Sequence, residues 1–164
     1  MRHVLAVDIG GTKLAAAIVD DEGRVLERAQ TATSGDDAES LFATLVELIR
    51  DVRDRAVDRS VVACGVGCGG PMEPGGRTVS PLNIPAWRAF PLAARLQEAL
   101  GVPVALDNDA KALALAEGWR GAARGERNYL AMVVSTGVGA GLVVDGRLLD
   151  GAAGNAGHIG HVIA

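Results

Sequence analysis

The chain opens with short apolar runs separated by polar turns. Residues 3–9, 14–20 and 24–31 have the length and character of strands, broken first at Gly10, Gly11 and Thr12 and then at Asp20-Asp21-Glu22-Gly23. From residue 39 to 57 the period changes to that of a helix: Leu41, Leu45, Leu48, Ile49 and Val52 share one face and charges occupy the other. Residues 34–37 supply N-cap candidates. Residues 61–66 form an apolar run leading into a glycine-rich loop, and residues 71–91 hold five of the six prolines. So long a loop inside a compact domain is an ordered, functional one rather than a linker. A short helix over 92–100, a strand over 102–106 and a helix over 108–119 follow. Strand-like segments then flank a second glycine-rich turn at 135–141. The pattern is that of an α/β protein.

Composition narrows the class. The 164 residues suffice for one domain with a proper core, and an apolar fraction of 49% with 22 glycines suits an α/β protein with many tight turns. Aromatics make up only 3%, which leaves little for stacking on bases, and a formal charge of −4 without a basic cluster argues against a nucleic-acid partner. No apolar run approaches bilayer length and no signal-peptide core is visible, so no membrane partner and a cytoplasmic location are expected. Cys64 and Cys68 read as buried, reduced thiols.

Two glycine turns carry the chemistry. In Asp8-Ile9-Gly10-Gly11-Thr12-Lys13 a carboxylate stands at the mouth of a tight hairpin, with a hydroxyl beside it. Glycines there let backbone N–H groups approach an anion closely, and the carboxylate suits a hydrated Mg²⁺ accompanying a polyphosphate. The spacing is neither a Walker A loop nor a dinucleotide fingerprint, both of which need a helix directly after the glycines. A plain turn is the alternative for this hairpin alone. The second turn, Ser135-Thr136-Gly137-Val138-Gly139-Ala140-Gly141, again lies between strands. Glycine within an apolar strand often marks a close backbone approach. Two such hairpins can clamp one phosphate chain from opposite sides.

The two loops resemble those of the actin-like (ribonuclease H-like) ATPase fold, and the narrower resemblance is to the ROK family of sugar kinases and repressors. It is carried by Asp8-Ile9-Gly10-Gly11-Thr12-Lys13, Gly65-Val66-Gly67-Cys68-Gly69-Gly70-Pro71, Asn83-Ile84-Pro85-Ala86-Trp87, Asp107-Asn108-Asp109-Ala110-Lys111-Ala112, the Thr136 turn, and Gly151-Ala152-Ala153-Gly154-Asn155-Ala156-Gly157-His158-Ile159-Gly160-His161. These stand in the family's order along essentially the whole chain. The resemblance implies a first actin-like domain over residues 1–118 and the beginning of a second over 119–164. It also implies ATP-dependent transfer of phosphate to the 6-hydroxyl of a hexose, with ATP and Mg²⁺ as cofactors. Glucose and N-acetylhexosamines are both within the implied substrate class. The alternatives are the sugar-sensing part of a repressor and a non-catalytic sugar-binding remnant.

Residue by residue, the resemblance assigns Asp8, Gly10, Gly11, Thr12, Lys13, Thr136, Gly137 and Gly139 to ATP and its phosphates. Gly69, Gly70, Asn83, Asn108, Asp109, His158 and His161 fall to the sugar. Asp109 is the implied general base. It follows a strand and opens a helix, whose N-terminus favours negative charge, and an Asp can take the substrate hydroxyl's proton during phosphoryl transfer. An Asp here also serves as a plain N-cap, and Asp107 is the competing carboxylate. Asn83 can donate to and accept from sugar hydroxyls or simply close an Asx-turn. Trp87 is expected to brace its loop. His158 departs from the family, which usually carries a glutamate there. A neutral imidazole accepts one bond and donates one, where a carboxylate offers two acceptor oxygens.

His161 matches a family zinc ligand, but the family's Cys-x-Cys-Gly-x-x-Gly-Cys trio would follow it by about ten residues and the sequence ends at Ala164. The resemblance therefore implies a piece of a longer protein, a poor catalyst by itself, with Zn²⁺ expected only in a full-length chain. It implies apolar strand faces exposed over the last forty or so residues, and a homo-oligomer for the full-length protein.

Overall fold

The computed structural model describes residues 2–135 and 137–161. Three strands, β1 (His3–Ile9), β2 (Lys13–Asp20) and β3 (Val25–Ala32), form an antiparallel meander. Helix α1 (Ala38–Asp54) follows, then β4 (Val61–Cys68), α2 (Leu92–Leu100), β5 (Val104–Asn108) and α3 (Asp109–Arg120). β4 and β5 run parallel to β1, giving a five-stranded sheet of order β3-β2-β1-β4-β5. A second, antiparallel sheet is built from β6 (Tyr129–Val134), β7 (Val138–Val144) and β8 (Arg147–Leu148).

Alternation along the strands decides which face is core. Leu5, Val7 and Ile9 of β1, Leu14, Ala16 and Ile18 of β2, and Cys64, Val66 and Cys68 of β4 are all buried in one cluster with the apolar faces of α1 and α2. Leu41, Leu45, Leu48, Ile49 and Val52 are the helix face expected from periodicity, joined by Phe42 and Val46. At about 1.5–3 kcal/mol for each large side chain removed from water, this face contributes far more than helix propensity does. Asp37 caps α1: its carboxylate accepts from the Ser40 N–H at 2.8 Å, and the Ser40 hydroxyl accepts from the Asp37 N–H at 3.1 Å.

The opposite face of the sheet carries Asp8 and Gly67, and there α3 crosses. A Cβ on Gly67 would stand 3.5 Å from Asp109 Cα and 3.8 Å from Ala112 Cβ, so the strand's bare backbone admits the first turn of the helix. Beyond Arg120 the chain crosses to the second sheet, where Tyr129 Oη donates to the Ala114 carbonyl at 2.9 Å. α3 also packs on β6 and β7. The far side of that sheet leaves Leu130, Met132 and Val134 exposed, as expected for apolar strand faces in this part of the chain. Among the described residues no helix is long and apolar enough to cross a membrane.

Element boundaries differ from the sequence expectation in small, explicable ways. β4 runs on through Gly67 and Cys68 because its pairing with β1 and β5 holds the glycines extended. β5 begins and ends two residues later than expected because Pro103 precedes it and its ladder continues to Asn108. The 71–91 loop is ordered by bridges Met72–Val79 and Val79–Phe90 and by a 3-10 turn at Pro74–Gly76.

Candidate active site

The site forms at the carboxyl ends of the parallel strands. Asp8, Gly67 and Asp107 are in register across β1, β4 and β5, as are Ile9, Cys68 and Asn108. The chain leaves each strand into a glycine turn or a helix start, so polar groups from three loops converge there. Open α/β sheets bind ligands at such an edge because backbone groups and helix N-termini face outward from it.

The first hairpin is closed by the Gly10 N–H donating to the Lys13 carbonyl at 3.0 Å, and the Thr33 hydroxyl donates to the Gly10 carbonyl at 2.7 Å. The Gly11 and Thr12 N–H groups lie outside that bond, at an exposed tip shared with Lys13. Gly11 has a steric reason to be glycine: a Cβ there would collide with the Cβ of Asn83. The first hairpin and the 71–91 loop therefore abut through these two residues. Asp8 reaches solvent, yet its pKa is raised above 3.8 by desolvation and then by the negative charge of Asp109, with Lys13 opposing. Two carboxylates thus face one space and repel, an arrangement that a cation would relieve.

Asn108, not Asp109, caps α3. Its Oδ1 accepts from the Ala110 N–H at 3.0 Å while the residue stays extended and buried. The capping reading of Asp109 therefore yields to its neighbour. Asp109 is exposed, and its Oδ1 accepts from the Ala110 N–H at 2.9 Å, which orients the carboxylate and leaves Oδ2 for a ligand. With one oxygen engaged in the cap, Asn108 offers its Nδ2 amide, which lies 3.7 Å from the position a Gly70 Cβ would take. His158 closes the same spot, its Cε1 and Nε2 being 3.1 and 3.2 Å from that position. Gly70, Asn108 and His158 form one wall. Gly69 precedes it with open space on its Cβ side. Asp107, the competing carboxylate, is turned to structure: it accepts from the Asn108 N–H at 2.7 Å and stands 3.5 Å from Lys111 Nζ.

The second glycine turn divides. Gly137 has nothing near its Cβ position, leaving its backbone open to an approaching anion. Gly139 instead meets Ala110 Cβ at 3.4 Å, and Gly141 meets Ala114 Cβ and the Ala110 carbonyl, so these two glycines let β7 lie directly on α3. Thr136 lies outside the described residues.

Among the described residues no donor set fits zinc. His161 ends a short 3-10 turn, its side chain lies outside the described residues, and among those described no group of three His, Cys, Asp or Glu could hold a metal. Cys64 and Cys68 are buried under the sheet, their thiols pushed up to about 12 by desolvation. Lys111 escaped the sequence reading. It is buried and donates to Asp150 and the Gly154 carbonyl, and the signal was a lysine interrupting the small apolar face of Ala110 and Ala114.

Residues 4–164 match the ROK family. The chain is 36% identical over 165 residues to a glucokinase of Halalkalibacterium halodurans, covering 98% of this chain and 50% of that protein. It is 39% identical over 161 residues to an N-acetylmannosamine kinase of Citrobacter koseri, covering 98% and 54%. Among solved structures, a ROK glucokinase from Streptomyces griseus in complex with glucose and AMPPNP superposes with a TM-score of 0.89 at 34% identity, over 98% of this chain and 50% of that one. A ROK transcriptional regulator described as a homolog of the E. coli MLC protein gives 0.87 at 27% identity, over 98% and 41%. The chain thus spans about half the length of the relatives it matches. With its actin-like strand order, its glycine hairpins and these matches, the chain belongs to the ROK family.

Proposed function

We propose that this chain carries the sugar pocket, the general base and one phosphate hairpin of an ATP-dependent hexose kinase that phosphorylates the 6-hydroxyl. The observation that carries this reading is the wall of Gly70, Asn108 and His158 beside an exposed Asp109, with Asp8 near enough for its charge to be felt. Glucose and N-acetylhexosamines are the substrate class, in keeping with the glucokinase and N-acetylmannosamine kinase relatives.

In the proposed reaction the Asn108 amide, the Gly69–Gly70 backbone, Asn83, His158 and His161 receive the sugar hydroxyls. Asp109 Oδ2 takes the proton of the attacking hydroxyl as its oxygen bonds to the γ-phosphorus and ADP departs with the bridging oxygen. The N–H groups of Gly11, Thr12 and Gly137 line the approach of the phosphate chain, with Gly10, Lys13, Thr136 and Gly139 completing the two hairpins. Asp8 fits a Mg²⁺ brought in with the nucleotide; such an ion, when bound, neutralises charge developing on the phosphates. Residues 1–118 and 119–164 are the two units between which the substrates would lie. Homo-oligomerisation of a full-length protein and a cytoplasmic location belong to this reading, and the charge of −4 supports no nucleic-acid partner.

The test is calorimetric titration of this chain and its Asp109→Asn variant with glucose, N-acetylglucosamine and N-acetylmannosamine, together with ADP release from the full-length protein. Both should bind one of the hexoses, and ADP release should fall by a factor of about 10² or more in the variant. A wild-type chain that binds none of the three overturns the reading. Hexose binding with ADP release unaffected by Asp109→Asn would instead favour a sugar sensor, the role suggested by likeness to the regulator.

A further inference from the structure

Lys111 lies on the first turn of α3 and is the only buried cation among the described residues. Its Nζ donates to Asp150 Oδ1 and to the Gly154 carbonyl, both at 2.8 Å, and stands 3.5 Å from Asp107 Oδ1. The ammonium therefore joins the end of β5, the start of α3 and the segment that follows β8.

That segment has no large side chain of its own to anchor it, although Gly154 lies against Pro74 and Gly157 against Ala140 and Leu142. Residues 151–157 are glycine, alanine and asparagine, with no large side chain to bury, and Gly151, Gly154 and Gly157 all take positive φ. Its position is set by polar ties. Lys111 pins Asp150 and Gly154, the Ala156 N–H donates to the Asp150 carbonyl at 2.9 Å, and the Ala140 N–H donates to the Gly157 carbonyl at 2.8 Å. The next residue is His158, set against Gly70 beside Asn108.

We propose that Lys111 is a positioning residue for the sugar pocket: by pinning the bend at Asp150 and Gly154 it sets where His158 stands against Gly70 and Asn108. Its role in sugar binding rests on the kinase reading above, whereas the pinning itself does not. Charge-assisted bonds of this kind are worth enough that losing one loosens a local structure by about tenfold or more.

Lys111→Met is a fair test because it need not unfold the chain. The methionine keeps a similar volume in the buried shaft, and the carboxylates left behind, 40% and 70% exposed at Asp107 and Asp150, can take up water. Amide hydrogen exchange is read first, with no ligand present. The Ala140 and Ala156 amides should exchange about tenfold faster in Lys111→Met, with amides of β1 and β4 unchanged. Asp150→Ala should move the same amides by less. Unchanged exchange at Ala140 and Ala156 in Lys111→Met overturns the proposal whatever the chain binds.

Hexose affinity is read second, as a double-mutant cycle. Lys111→Met should weaken binding about tenfold, and in a His158→Ala background it should cost almost nothing further. Full additivity of the two substitutions, or undiminished affinity in Lys111→Met, also overturns it. Faster exchange in a chain whose wild type binds no hexose would leave the pinning standing and remove the kinase reading instead.

Discussion

Trp87→Ala tests whether the proline-rich loop is held by its own piece of core. Trp87 is wholly buried, its ring stacked on Phe90 with centroids 4.8 Å apart and planes 3° off parallel. Its indole N–H donates to the Ala38 carbonyl at the start of α1, 3.2 Å away. Phe90 continues the cluster to Phe42, with the Arg95 guanidinium 4.2 Å over the Phe42 ring. Truncation to alanine removes the buried ring and leaves a cavity, a change that costs about 3–5 kcal/mol. Within that total the aromatic pair accounts for about 0.5–1.5 kcal/mol and the hydrogen bond for about 1 kcal/mol. Trp87→Phe separates the parts: the stack survives, and the lost hydrogen bond and ring volume together cost about 2 kcal/mol. Urea unfolding followed by far-UV circular dichroism measures both, and thermal midpoints should fall by about 2–4 °C for each kcal/mol. Asn83 sits on the same loop four residues earlier, against Gly11, so the Ala variant should also weaken any hexose binding. An Ala variant within about 1 kcal/mol of wild type would mean that this ring does not hold the loop. A Phe variant as unstable as the Ala variant would mean that stacking and volume count for nothing here.

Asp8→Asn should stabilise the fold near neutral pH while removing a group assigned to phosphate binding. The Asp8 pKa is raised above 3.8, so the folded chain holds that proton more tightly than the unfolded one. Its favourable contribution is present below 3.8 and lost as pH rises through the raised value, after which the ionised carboxylate opposes folding. Thermal midpoints of variant and wild type should diverge as pH rises from acid to neutral; a variant less stable at neutral pH would refute the sign. Cys64 and Cys68, both pushed up to about 12, should resist a thiol reagent in the native chain at neutral pH and react on unfolding. Prompt native-state labelling would contradict their burial. His158→Glu should tighten glucose binding by restoring a two-oxygen acceptor, and titration showing equal or poorer affinity would sink that expectation.

Much of this molecule could be read from spacing. The first hairpin, the helix face of α1, the span of α2 and the glycine turns follow from periodicity and punctuation, because each is a local consequence of which residues must be buried. Asp109 could be picked out, but whether it or Asn108 caps α3 could not, since either side chain suits that position. Only the backbone geometry shows Asn108 accepting the Ala110 N–H from an extended conformation. Lys111 was invisible for another reason. A lysine on a helix reads as solvated unless its partners are known, and Asp150 and Gly154 lie 39 and 43 residues away. Likewise the sequence does not show that Gly139 lies against Ala110 across space.

That last contact ties the second glycine hairpin to the helix that begins at Asp109. β7 can lie on α3 only because Gly139 and Gly141 have no side chains where Ala110 and Ala114 stand, and Ala110 and Ala114 are themselves small. The strand that leads out of the second glycine turn is thereby fixed to the same helix whose first residue is Asp109. On the other side, Gly67 lets that first turn settle onto β4, beside the strand that carries Asp8. A single helix therefore joins β4, β7 and the carboxylate of Asp109, through contacts in which one added methyl group would be felt. The geometry of the site is held less by the residues that would touch a substrate than by the small residues that let three backbones meet.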